Sequence, residues 1–304
     1  MREVGLVLLP LIAMQVSVSL AIANMQVRGN YLCASFWYAA SPAGRLAAVG
    51  LLAVLPMAFV PLNLAVINML VGLALAVLAI RTVASSYLKV SASGLSPANV
   101  AKRSWQFGLD GVLYLAYHQL GLVVVLFAID EAAAGMFAAA FIFLNAAYMF
   151  PSIVFQKFLL PKLHRWANSS PDSLILVARL GSALMFLAGL LMASFIYFFA
   201  HDFVRLVFGE GYSSGVLVLQ TLALAIPFKY AASSVGSVLT SGHLLRSKLL
   251  IMGATAAVYL PTCYILSSIY GLPGAATATI LAEVMLLAGF AATVRLRLKE
   301  ALSA

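Results

Sequence analysis

The feature that most constrains this chain is the length of its uncharged apolar stretches. Residues 181–199, "GSALMFLAGLLMASFIYFF", contain neither an acid nor a base. At ~1.5 Å of rise per residue, a helix of that length approaches the ~30 Å thickness of a bilayer's hydrocarbon core. Comparable runs recur, and nine spans are expected at roughly 4–24, 31–58, 60–82, 105–128, 134–156, 175–199, 215–238, 247–269 and 273–295. Their hydrophobicity is continuous rather than alternating, which points to spanning helices and away from barrel strands. Composition agrees: of 304 residues, 64% are hydrophobic and only 9% charged, against about 25% charged in soluble domains. The expected fold is therefore an all-α polytopic membrane protein. The second span is the least regular: "YLCASFWYAAS" is expected at the interface before Pro42, with the deeper part running from about Ala43 to Val60.

The net charge of +9 does not point to nucleic acid, because the basic residues are spread over connectors instead of forming one patch. They follow topology. Arg28, Lys89, Lys102, Arg103, Lys157, Lys162, Arg165, Arg246, Lys248, Arg295, Arg297 and Lys299 all fall on one set of connectors. The opposite set offers Arg205 and acidic residues. The positive-inside rule then puts the C-terminus of this multi-pass chain in the cytoplasm. With nine spans Met1 falls on the outer side, and further helices are expected before it. No cleavable signal peptide is evident, since "ANMQVRGN" lacks a small-x-small cleavage pattern. Cys33 and Cys263 are far apart and show no metal-type spacing, so no disulfide framework, metal or cofactor is expected.

One connector is long and polar: "RTVASSYLKVSASGLSPANVAKRSW", residues 81–105. It is read as a cytoplasmic linker (83–104) between a partial N-terminal bundle (1–82) and a C-terminal six-helix bundle (105–304). Around it, "KRSWQFGLDGVLYLAYHQLGLVVVLF", "AAAGMFAAAFIFLNAAYMFPSIVFQKFLLPKL", "RLVFGEGYSSGVLVLQTLALAIPF" and "SIYGLPGAATATILAEV" follow one another in order. Over about residues 100–295 this series resembles the second lobe of polysaccharide (O-antigen or exopolysaccharide) flippases. These belong to the multidrug/oligosaccharidyl-lipid/polysaccharide exporter superfamily. The resemblance implies two six-helix bundles, a central cavity and alternating access. It also implies that 105–304 is a complete second bundle and 1–82 the last three helices of a first. The chain departs from that pattern at Gly121, near where an acidic residue often stands in the family.

Charged residues at membrane depth cost about 2.5–3.5 kcal/mol each even on a lenient scale, so the few present are the candidates for function. By helical rise, His118, Lys229 and Glu283 fall near mid-membrane, Asp110 in the cytoplasmic half, and Arg45 and Arg179 nearer the cytoplasmic face. Lys229 is either a snorkelling side chain or a cation facing a cavity. Pro227, two residues earlier, deprives the Ala223 carbonyl of its helical partner, and broken helices in transporters often line a cavity. Glu283 is either a buried partner for Lys229 or a hydroxyl, or an ion-coupling carboxylate. Asp110 is read as paired with a cation or a hydroxyl, with ion coupling as the alternative. His118 is a neutral bundle imidazole, a proton relay or a phosphate contact. Tyr114, Tyr117, Tyr148, Phe150, Tyr230 and Tyr259 are read mainly as packing, with sugar stacking as the functional alternative. His201, Asp202, Arg205 and Glu210 are read as a solvated outer face. Phosphate-cradling, zinc-protease, Asp-x-Asp and Ser/His/Asp patterns are all missing from the sequence, so no catalytic residue is assigned.

These readings converge on flipping of an undecaprenyl-diphosphate-linked oligosaccharide for surface polysaccharide assembly, among membrane lipids and beside a polysaccharide polymerase or other assembly proteins. Lys229, His118, Arg45 and Arg179 are the candidate cations for the diphosphate, and Glu283 and Asp110 the candidates for ion coupling. Replacing Lys229 by methionine is expected to leave a slightly more stable, inactive protein. The alternatives are a cation-coupled multidrug exporter of the same superfamily and a membrane-embedded glycosyl- or acyltransferase.

Overall fold

The computed structural model describes residues 17–25, 30–54, 61–87, 97–159, 176–241 and 244–303, together with Leu163 and Trp166. The described residues are almost wholly helical and include no strand. Contacts divide the chain into two compact units, Met1–Ser96 and Pro97–Ala304, each described here by itself.

The first unit contains α1 (residues 17–25), α2 (Tyr31–Val54) and α3 (Pro61–Tyr87). Val18, Ala21, Ile22, Trp37, Ala76 and Ala79 form its small core. Gly44 lets α2 approach α3 closely, since a Cβ there would lie 2.9 Å from Val71. Helix α2 is continuous across Pro42. A proline inside an apolar helix is tolerated in hydrocarbon when neighbouring groups satisfy the carbonyl it orphans.

The second unit contains α4 (Pro97–Ala128) and α5 (Glu131–Pro151), the latter continuing into wide π-type turns over Ser152–Leu159. Next is α6 (Val177–Phe208), whose first turns, Val177–Gly181, are also π-type. Then follow α7 (Gly215–Ala223), α8 (Ile226–Ser241), α9 (Leu245–Tyr270) and α10 (Leu272–Ser303). Five stretches in this unit are long and apolar enough to cross a membrane, or six when α7 and α8, bent by 42°, count as one span. In the first unit, α3 includes the apolar stretch Met69–Thr82. The chain is a polytopic all-α membrane protein. Phe127, Leu191, Phe198 and Leu206 are 75–84% exposed, a surface that suits lipid and not water.

The polar connector is shorter than its composition suggests. Helix α3 runs to Tyr87, and α4 already begins at Pro97, so helix enters the connector from both ends. Proline is well suited to a helix's first position because its missing N–H would have no partner there. Likewise, "HDFVRLVF" belongs to α6 and is not loop. Gly209, at φ +81°, ends that helix, and Gly271, at φ +65°, ends α9. Between α4 and α5, the Asp130 carboxylate accepts a 2.7 Å hydrogen bond from the Ala133 N–H, capping α5.

The core of this unit lies around the bent span. Leu219, Leu222, Ala223, Ala225, Ile226 and Leu239 are fully buried. Helix α6 reaches the bend closely because Gly189 lies against the Pro227 backbone, where a Cβ would sit 2.6 Å from its Cα. Small residues at such contacts let membrane helices exploit close packing where no hydrophobic drive exists.

Candidate functional site

The bend between α7 and α8 follows from Pro227. Lacking an N–H, it cannot bond the carbonyl four residues back, that of Ala223. The chain tightens instead: the Ala225 N–H donates to the Leu222 carbonyl at 2.9 Å and the Leu224 N–H to the Thr221 carbonyl at 3.1 Å. Helix α8 then starts afresh, with the Lys229 N–H donating to the Ala225 carbonyl at 3.1 Å. Lys229 therefore sits in the first turn of α8, at the positive end of its helix dipole. That is an unfavourable place for a cation.

Its surroundings compensate. The Lys229 ammonium lies 3.3 Å from Glu283 Oε1 of α10, with the two side chains 9% and 0% exposed. The rings of Tyr114 (α4) and Tyr148 (α5) lie 4.9 and 5.2 Å from the nitrogen, close enough for cation–π attraction. Four helices thus meet at one ammonium. Tyr148 is buried, whereas Tyr114 is 37% exposed and reaches from the ammonium to the surface of the unit.

A second pair joins α9 to α4. Lys248, in the first turn of α9, donates to Asp110 of α4 at 2.8 Å and to the Thr240 hydroxyl of α8 at 2.9 Å. Asp110 is thus paired with a cation, as its residue type and depth suggest. The partner was legible only as connector charge. Nothing in sequence spacing joins residues 138 apart.

The aromatic candidates separate. The Tyr230 hydroxyl donates to the Ala147 carbonyl at 2.8 Å, the carbonyl that Pro151 leaves without its helical N–H partner, and its ring stacks on Phe150 at 5.9 Å. Tyr259 lies 3.4 Å from the Thr279 hydroxyl. Its own hydroxyl covers Gly121, where a Cβ would collide with it. Any side chain at position 121 must displace Tyr259.

Arg179 is exposed on the π-type turns opening α6. The side chains of Arg45, on α2, and of His118 and Tyr117, on α4, lie outside the described residues. So do Lys89, Lys162 and residues 1–16. Arg205 and Glu210 pair at 2.7 Å with both side chains mostly exposed, as a solvated face would. Such pairs contribute little. Among the described residues, no cluster of three or more His, Cys, Asp or Glu suited to a metal occurs.

A helix broken beside a buried ion pair is an arrangement also seen where transporter helices line a cavity. The chain superposes on a solved structure described as lipid II flippase MurJ in an inward closed conformation, with a TM-score of 0.65 and 12% sequence identity. The match covers 93% of this chain and 60% of that one, so this chain spans less than two thirds of that protein's length. No family model matches the sequence. No curated protein matches it either.

Proposed function

We propose that the chain translocates a lipid-linked oligosaccharide across the bacterial inner membrane by alternating access, and is not an enzyme. The observation that carries this reading is Lys229: a cation buried at membrane depth, beside a break in its span, at the positive end of α8. Ammonium and dipole both favour an anion. An undecaprenyl diphosphate presents that anion while its tail stays in lipid. The shared fold with a lipid II flippase supports a lipid-linked cargo.

Under this reading Lys229 is the principal diphosphate contact, and His118, Arg45 and Arg179 are secondary cations to be tested singly. Glu283 and Asp110 are the ion-coupling candidates. Residues 105–304 form the second bundle, 83–104 the cytoplasmic linker and 1–82 part of the first bundle. The C-terminus is cytoplasmic, and the protein works beside polysaccharide polymerase and other assembly proteins. A second reading, favoured by the fold neighbour, takes lipid II itself as cargo.

Complementation tests both. The gene is expressed in one strain lacking its oligosaccharide flippase and in another depleted of its lipid II flippase. Restored surface polysaccharide in the first, lost on replacing Lys229 and Glu283 together by Met and Gln at matched expression, supports the proposal. Rescue of the second alone shifts the cargo to lipid II. Rescue of neither rejects both.

A further inference from the structure

The proposed anion site is already occupied by a group from the protein. The Lys229 ammonium touches Glu283 at 3.3 Å and lies between two tyrosine rings, and the lysine is only 7% exposed. An incoming phosphate therefore cannot simply be added. It must take the ammonium from Glu283.

The two partners differ in freedom. Lys229 stands on a flexible four-carbon stem three residues into a helix that starts at a break, with the half-exposed Tyr114 beside its nitrogen. Glu283 is fully buried on α10, among the small buried residues Ala278, Thr279 and Ala282. The lysine is the partner able to swing.

We propose that the cargo's phosphate and the Glu283 carboxylate compete for the one Lys229 ammonium, and that Glu283 takes up a proton when the phosphate wins. This rests on the reading of Lys229 as the anion contact. A carboxylate that loses its counter-charge in a dry interior becomes neutral because the charged form is no longer sustained. Among the described residues, the titratable groups facing Glu283 are Lys229 from α8, Tyr148 from α5 and Tyr259 from α9, with Tyr114 of α4 across the ammonium. A tyrosine carries no positive charge in either of its protonation states. Lys248, the next cation, is engaged by Asp110 and Thr240. In this scheme the proton is drawn from solvent, and anion and proton load together.

The test is titration of farnesyl diphosphate into the purified chain in nanodiscs, in mildly acidic and mildly alkaline buffer. Linkage to one proton strengthens wild-type binding by up to about tenfold per pH unit as pH falls, beyond the probe's own titration. Glu283→Gln binds more tightly than wild type in alkaline buffer and retains only the probe's own pH slope. The double variant Lys229→Met with Glu283→Gln stays folded, because it removes both charges together, and loses binding. Wild type and Glu283→Gln binding equally with the same slope would overturn the competition and leave the anion site standing. Absence of binding by both, or undiminished binding by the double variant, overturns the site and the competition together.

Discussion

At Lys229, methionine keeps the length of the stem and deletes the charge, which in isolation should relieve the bundle of a costly group. The pair reverses that expectation. With Glu283 fully buried beside it, the single replacement takes away the ammonium that faces the carboxylate, and breaking a buried pair in this way costs about 3–5 kcal/mol. Lys229→Met is therefore expected to melt well below wild type in detergent, and adding Glu283→Gln should recover most of the loss. A single variant as stable as the double would show that the two charges are energetically independent. Tyr230 makes a similar case on a smaller scale. Tyr230→Phe keeps the ring on Phe150 but strips the donor from the buried Ala147 carbonyl, with an expected loss of about 1–3 kcal/mol. Unchanged thermal stability would mean that water or another donor serves that carbonyl. The Lys229–Glu283 pair was one of the alternatives that depth and residue type offered, whereas the Tyr230–Ala147 contact was not legible in sequence. Depth and residue type singled out Lys229, Glu283 and Asp110, but their partners come from other helices, and no spacing along the chain encodes a contact between them.

Elements were more legible where hydrocarbon dictates them than where polar connectors do. The six apolar crossings of the second unit fall close to the expected spans, because in lipid every backbone polar group must be bonded within its own helix. The break at Pro227 was equally readable, since the missing N–H is a covalent fact. The ends were not: "PANVAKRSW" and "HDFVRLVF" look like connectors by composition yet extend α4 and α6 beyond the apolar stretch. Polar residues there cost the helix little once it leaves hydrocarbon. The bend itself supplies a prediction. Pro227→Ala returns an N–H to the Ala223 carbonyl and should straighten α7 and α8 toward one helix. Spin labels near Ser213 and Thr240 should then move apart. Gly189 opposes this by fitting closely against the Pro227 backbone, so the single change should also loosen α6. Label distances identical to wild type would place the cause of the bend in packing alone.

At the scale of the whole molecule, the basic connectors give orientation its own test. Single cysteines at 89 and 162, in a chain whose Cys33 and Cys263 have been replaced, are expected to react from the cytoplasmic side, and cysteines at 131 and 213 from the periplasmic side. Labelling of 89 and 131 from one side would invert or break the topology. The 42° bend between α7 and α8 has a consequence for the membrane itself. Two helical halves tilted against each other cover less height than a straight rod, by about 2–3 Å for a span of this length at ~1.5 Å per residue. Thickness therefore acts on the protein as a mechanical load. A thin bilayer fits the bent form, and a thick one favours any step of the cycle that straightens the span, at a fraction of a kcal/mol per Å of mismatch. Reconstitution in lipids of increasing acyl length should shift the balance between the two shapes smoothly, so that the bilayer becomes a control on the rate without touching the cargo site.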